Sequence, residues 1–274
     1  MPTKEYLTLK YDVVFKNVFY RDSELLKDFI SSILNNFYDI QIDKIEIKNA
    51  ELTKNRVYIK NKTIDILVIA NNKVINMELN NNRYSKTTKL RNLSYLFSAY
   101  VEDIHTSKTY QTGKEYLQIN FNFQGKNKRG FSSYYLREDN NLNDILVNNI
   151  RIININVDYF LDKWYNSSNK EEYLKKYKYI ILIGMSKEEL RKIKGDDKML
   201  KRVRNDIEKL NQSEDFYQLF TDEEDLEYYG NGLYSEGMEH QNTVIASNLK
   251  KEKVSFDIIN KVTGLSIPEI KSLK

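Results

Sequence analysis

Asp65 and the run Glu78-Leu79-Asn80 are the residues of this 274-residue chain whose types and spacing point most directly to chemistry. Two segments rich in Ile and Val, Thr63 to Ala70 and Lys73 to Leu79, are joined by Asn71-Asn72. Asn tolerates the positive φ of a tight hairpin turn. With Asn71-Asn72 as a two-residue turn, Ala70 pairs with Lys73 and Asp65 falls opposite Glu78. Opposed residues share a face, with Cβ atoms about 5 Å apart. Asn80, two residues on, faces the same way. A turn one residue longer or shorter would put the two acids on opposite faces. Two opposed carboxylates repel unless a cation neutralises them, and oxygen ligands on a rigid strand pair suit Mg²⁺ or Mn²⁺. Such an ion can polarise a phosphate and lower the pKa of a bound water. The competing reading is a solvated sheet face with lysine partners. Against it, Asp65 interrupts the apolar run Ile64 to Ile69, where a charge needs a partner.

Composition closes many other routes. The chain has no cysteine, which excludes a disulfide framework, a thiolate zinc site and a thiol nucleophile. With His105 and His240 as the two histidines, a His-rich metal site or a Ser-His-Asp triad has little support. There is no GxGxxG and no GxxxxGK[ST], so no nucleotide cofactor is expected. No apolar run is long enough to span a bilayer and the first ten residues are polar. Neither a membrane span nor a signal peptide is expected, and a reducing cytoplasm fits. The 43 basic and 39 acidic residues give a net charge of +4, too balanced to indicate nucleic-acid binding by itself. The richness in Asn, Lys, Ile and Tyr reads as the imprint of an AT-rich genome rather than as a functional asparagine motif.

The elements that must position these groups follow from periodicity. Asp12, Phe15, Lys16 and Phe19 suggest a short helical turn. Asp22-Ser23-Glu24 can cap the helix that carries Leu25, Leu26, Phe29, Ile30, Ile33, Leu34 and Phe37. Ile42 to Leu52 alternates as a strand. Ser85 to Ile104 reads as a long helix, with Leu90, Leu93, Phe97, Tyr100, Val101 and Ile104 as its apolar stripe. Arg91, Tyr95, Ser98 and Glu102 lie along another face. Tyr116 to Phe123, Phe131 to Arg137 and Arg151 to Tyr159 read as further strands, so the domain is mixed α/β. Beyond about Trp164 the pattern is helical and charged. Gly230, Gly232 and Gly237 mark a linker before a helical hairpin. There Gly264 breaks a helix over about Phe256 to Val262, and Ser266 with Glu269 opens the next. The expected organisation is a core at 1–165, a charged helical extension at 166–236 and a C-terminal helical hairpin at 237–274.

In order and spacing these motifs resemble the PD-(D/E)XK nucleases. The chain is most similar to the Rpn recombination-promoting nucleases, also described as PD-(D/E)XK family transposases. Asp12, Phe15-Lys16 and Phe19 match that family's opening pattern, Ile64-Asp65 and Glu78-Leu79-Asn80 its signature, and Arg91 and Tyr95 its following helix. Ile152 to Trp164 and Val262 to Ser266 match more weakly. The resemblance implies a restriction-endonuclease-like PD-(D/E)XK core with a helical C-terminal extension. It implies hydrolysis of DNA phosphodiesters with Mg²⁺, or with Mn²⁺ or Ca²⁺, in mobile-element recombination or defence. Carried over by position, Asp65 and Glu78 are metal ligands. Asp12 supports a second metal or the site's hydrogen bonds, although it is equally a helix cap from the residues alone. Lys16, Arg91 and Tyr95 become phosphate or DNA contacts. The departure is Asn80, where the superfamily has Lys and this family usually Gln. Asn cannot act as a base but can orient a water or a phosphate. Lys16, Arg83, Lys86 and Arg91 are the candidates for the missing positive charge. A catalytically weakened DNA-binding or interaction protein is the alternative. A homo-oligomer is expected in either case, with self-association or regulation at the C-terminal helices.

Other charged segments read as surface. The loop Lys126-Asn127-Lys128-Arg129 is a solvated hairpin loop more readily than a DNA contact. The basic helix around Arg191 to Arg204 is a solvated face paired with the acidic run Asp222 to Glu227. Neither histidine is assigned a catalytic role.

Overall fold

Period-two alternation in the central segments produces one mixed six-stranded sheet, ordered β1-β2-β3-β4-β6-β5. The strands are β1 (Ile45–Ile47), β2 (Ile66–Ala70), β3 (Lys73–Arg83), β4 (Glu115–Phe123), β5 (Phe131–Arg137) and β6 (Ile145–Asn156). Strands β3 and β4, and β4 and β6, pair in parallel, while the other neighbours are antiparallel. Parallel neighbours need a crossover, and the helix α3 (Lys86–Thr106) supplies it between β3 and β4. This computed structural model describes residues 6–48, 65–83, 86–106, 113–193, 197–214 and 241–273. The chain divides into two units, Met1–Ser213 and Glu214–Lys274.

In the first unit one sheet face is apolar across its central strands. Ile75 and Met77 of β3 and Ile119 and Phe121 of β4 are fully buried there. Helices α1 (Asp12–Tyr20) and α2 (Ser23–Tyr38) cover it with an aromatic cluster. The rings of Phe19 and Phe29 stack at 4.4 Å, and Phe29 stacks on Phe121 at 5.5 Å. Asp22 caps α2 by accepting from the Leu25 amide at 3.0 Å, as its sequence position predicts. On the far side of this layer, Lys178 and Tyr179 of α5 (Lys170–Gly184) both donate to Asp28. Lys178 also reaches Asp197, which caps α7 (Lys198–Gln212), the helix after α6 (Lys187–Lys192). Arg202 on α7 forms ion pairs with Asp22 and Glu24 of α2. The acidic run expected as partner of this basic helix lies outside the described residues.

The opposite face is packed by α3, and here the sequence expectation is corrected. Leu90 and Val101, members of the expected apolar stripe, are 59% and 46% exposed. The buried positions are instead Asn92, Tyr95, Leu96 and Ala99. Phe97 and Tyr100 of the expected stripe do pack on this cluster, but apolar periodicity placed the centre of the face wrongly because the surface beneath α3 is partly polar. Two strand boundaries also shift. In Ile42 to Leu52, Ile45–Ile47 forms the strand, and residues 49–52 lie outside the described residues. The strand expected from Arg151 to Tyr159 begins earlier, at Ile145, and ends at Asn156. From there α4 (Val157–Tyr165) buries Val157 and Phe160 at helical spacing.

The second unit contains helical residues 241–251 followed by the helices Phe256–Thr263 and Ile267–Ser272. Gly264 ends the first of this pair in the left-handed region at φ 72°, and Ser266 and Glu269 form the predicted capping box. Ala246, Ile259 and Ile270 form its core. The glycine linker and His240 lie outside the described residues.

Candidate active site

The hairpin has the register that its two-residue turn predicts. Ala70 pairs with Lys73 and Ile66 with Met77, and Asn71 takes φ 53°. The next position out on β2 is Asp65, and its partner is Glu78. The ladder continues there through side chains. The Asp65 amide donates to Glu78 Oε1 at 3.3 Å, and the Leu79 amide donates to Asp65 Oδ2 at 2.7 Å. Both carboxylates are buried, at 6% and 2% exposure.

Helix α1 closes this end of the hairpin. Burial of Phe15 and Phe19 against the sheet leaves Asp12 and Lys16, one turn apart, on its flank. Lys16 Nζ lies 3.1 Å from Asp65 Oδ1 and 3.7 Å from Asp12 Oδ2. Tyr20, a residue with no chemical signal in the sequence, accepts the Leu67 amide at 3.0 Å and ties α1 to β2. Asp12 is the first helical residue rather than the cap, which is Tyr11, and its Oδ1 accepts the Val13 amide at 2.8 Å.

Burial raises the pKa of Asp65, with Lys16 opposing the shift. Burial raises Glu78 well above the ordinary carboxylate range, the neighbouring Asp65 adds to this, and Arg91 opposes it. Burial disfavours the charged ammonium of Lys16, but Asp65 and Asp12 outweigh it and hold the lysine pKa above its usual value.

Asn80 shares the face of Glu78 but is committed elsewhere. Its Oδ1 accepts from Arg91 Nη2 at 2.7 Å and from Asn92 Nδ2 at 3.3 Å, and its Nδ2 donates to Asn122 Oδ1 at 2.8 Å. Asn92 also donates to Asn120 at 2.8 Å. Asn120 receives Gln118 and donates to Asn154, each at 2.8 Å. This buried amide network lies at the carboxyl ends of parallel strands, where α/β sheets place their ligand crevices. Sequence reasoning missed it by treating the asparagines as compositional. The usable signal was Gln118, Asn120 and Asn122 at alternate positions of a strand whose intervening residues are apolar.

Arg91 therefore sits beside Asn80 and Glu78, with its guanidinium 6.0 Å from the Tyr95 ring centroid. Tyr95 is buried with Leu96, Ala99 and Tyr116, so its ring supports the arginine from the apolar core. The side chains of Arg83, Lys86 and His105 lie outside the described part of the structure. The loop at 126–129 is exposed, with Lys126 3.6 Å from Asp162.

Among the described residues no cluster of three or more His, Cys, Asp or Glu could form an all-protein metal cage. The hairpin pair still fits a hard dication by its donor chemistry. Two buried carboxylates, destabilised by burial and mutual repulsion, would gain from a +2 charge. Mg²⁺ is commonly held by one or two carboxylates together with substrate phosphate oxygens. Among the described residues no helix is long and apolar enough to cross a membrane.

Residues 9–230 match the family model for PD-(D/E)XK nuclease family transposase. No curated protein and no solved structure gives a significant match.

Proposed function

We propose that this chain, which belongs to the PD-(D/E)XK nuclease family transposases, is a metal-dependent DNA endonuclease of mobile-element recombination or defence. The observation that carries the reading is the Asp65–Glu78 pair, two buried carboxylates side by side at the crevice end of the sheet. Asp65 and Glu78 would hold the Mg²⁺, Mn²⁺ or Ca²⁺ ion. When bound, such an ion supplies charge for a phosphate oxygen and a lowered pKa for water. Arg91 offers a planar donor to the phosphate. Asn80 fixes Arg91 and is thus a positioning residue, while Asp12 holds Lys16. Exposed Val244, Ile258 and Val262 on the C-terminal unit support the homo-oligomeric part of the reading.

A plasmid-nicking assay in Mg²⁺, Mn²⁺ and Ca²⁺, with Asp65→Ala and Glu78→Ala alongside, tests this reading. Cleavage by the wild type that both variants lose is expected. Equal activity of all three proteins under every metal would refute catalysis at this site. The second reading, a fold-retaining DNA-binding or interaction protein, is favoured by one feature: the Asn80 oxygen already accepts from Arg91 and Asn92 and its nitrogen already donates to Asn122, so the amide is part of the structural network. It predicts DNA binding without cleavage by the wild type, with activity restored by Asn80→Lys or Asn80→Gln.

A further inference from the structure

The sequence left four basic residues as candidates for the positive charge that position 80 lacks. The geometry separates two of them. Arg91, on α3, is held by the Asn80 oxygen of β3. Lys16 enters from α1, and its ammonium touches the hairpin carboxylate directly at 3.1 Å. Its side chain is 25% exposed, so it lies between the buried pair and solvent rather than sealed in the core. Asp12, one turn back on the same helix, gives the ammonium a second partner at 3.7 Å.

We propose that Lys16 is an exchangeable cation of this carboxylate cluster. In the metal-free protein it holds Asp65. An incoming dication displaces it from Asp65 Oδ1, and the ammonium, still tethered by Asp12, becomes the phosphate contact that Asn80 does not provide. The inference rests on the metal-site reading above.

The physical reason is competition for one oxygen. A monocation 3.1 Å from Asp65 Oδ1 satisfies the carboxylate and repels a second cation at the same place. Removing it frees the oxygen and abolishes the repulsion, so metal binds more tightly. Loss of the same group leaves the substrate phosphate short of a charge-assisted donor. Lys16 is thus expected to oppose metal binding and to favour cleavage, a combination that a merely structural lysine does not produce.

The test is Mn²⁺ titration of the full-length protein without DNA, followed by electron paramagnetic resonance of free Mn²⁺, and plasmid nicking at saturating Mn²⁺. Lys16→Met and Lys16→Gln are expected to bind Mn²⁺ about tenfold more tightly while cleaving at least about tenfold more slowly. Lys16→Arg, which keeps the charge, should stay near wild-type Mn²⁺ affinity. Lys16→Gln retains a hydrogen bond to Asp65 and serves where the methionine variant fails to fold. Unchanged or weaker Mn²⁺ binding in a folded neutral variant overturns the exchange. Tighter binding with undiminished cleavage overturns the phosphate role. Asp65→Asn separates the two levels of inference. If it titrates like the wild type, the metal site itself is wrong and the exchange falls with it. If it loses Mn²⁺ while the Lys16 variants do not tighten, the lysine inference alone fails.

Discussion

Along α3, the turn that carries Tyr95, Leu96 and Ala99 packs on Leu67, Val74, Tyr116 and Ile150. The preceding turn sets Arg91 and Asn92 over Asn80 and Asn120, beside Glu78. The same helix and the same strands thus build two surfaces in succession. At the apolar end, stability comes from area removed from water and from close packing. At the polar end, buried amides satisfy one another and two buried carboxylates depend on a lysine from a different helix. Burial alone does not distinguish the ends, because Leu96 and Asn92 are both 1% exposed. The difference is that one end is satisfied by packing alone, while the other keeps two carboxylates whose charge burial disfavours.

The sharpest way to separate the ends is to remove a group that matters to one of them only. Asp65→Ala should cut DNA cleavage on the order of a thousandfold, equivalent to about 4 kcal/mol of barrier, since a dication's charge stabilisation is worth several kcal/mol. Circular dichroism and urea unfolding should show a folded protein. Collapse of the fold in this variant would mean that the hairpin acid is structural. The mirror experiment is Leu96→Ala. It should cost about 2–5 kcal/mol in urea unfolding through lost burial and a cavity, while cleavage per folded molecule stays intact. A smaller effect follows from Asn120→Ala, which leaves Asn92, Gln118 and Asn154 without their common partner. The expected cost is about 1–3 kcal/mol, together with weaker DNA binding through loosened positioning of Asn92, Asn80 and Arg91. An unchanged stability would show that water replaces the amide freely.

At the apolar end the strands were legible in the sequence but the buried turn of α3 was not, and at the polar end only the hairpin was. Hairpin register could be read because a two-residue turn leaves one alternation of Ile, Val and acid. The helix at Ser23 was legible because cap and stripe agree, and those at Asp12 and Phe256 through their apolar spacing and, for the latter, the stop at Gly264. The buried stripe of α3 was not, because periodicity equates buried with apolar and here Asn92 is inside while Leu90 is outside. The contacts of Lys16 and Asn80 were also hidden. They depend on which residues of α1, α3 and β4 meet in space, and spacing along one element carries no such information. The β6–α4 boundary was missed because Val157-Asp158-Tyr159-Phe160 alternates like a strand while satisfying helical spacing.

The mildest variant, Glu78→Gln, sharpens the comparison by reversing the usual sign. A core substitution at the apolar end can only lose packing, whereas Glu78 carries a charge that burial and Asp65 both disfavour. Gln keeps the acceptor for the Asp65 amide and removes the charge. In metal-free buffer the variant should be more stable than wild type by about 1–2 kcal/mol, within the range typical of relieving a functional conflict. The pH dependence follows from the raised pKa. Below the ordinary glutamate range Glu78 is protonated in both folded and unfolded chains, so the gain is small. As pH rises past that range, the unfolded chain ionises freely while the folded one resists, and the gain grows until Glu78 ionises in the folded state as well. Adding Mn²⁺ should erase or invert the difference, because the wild type then gains a ligand that the variant holds poorly. A stability loss in metal-free Glu78→Gln at neutral pH would mean that the acid is already well paired in the folded chain, and that the two ends of the face are less different than their residues suggest.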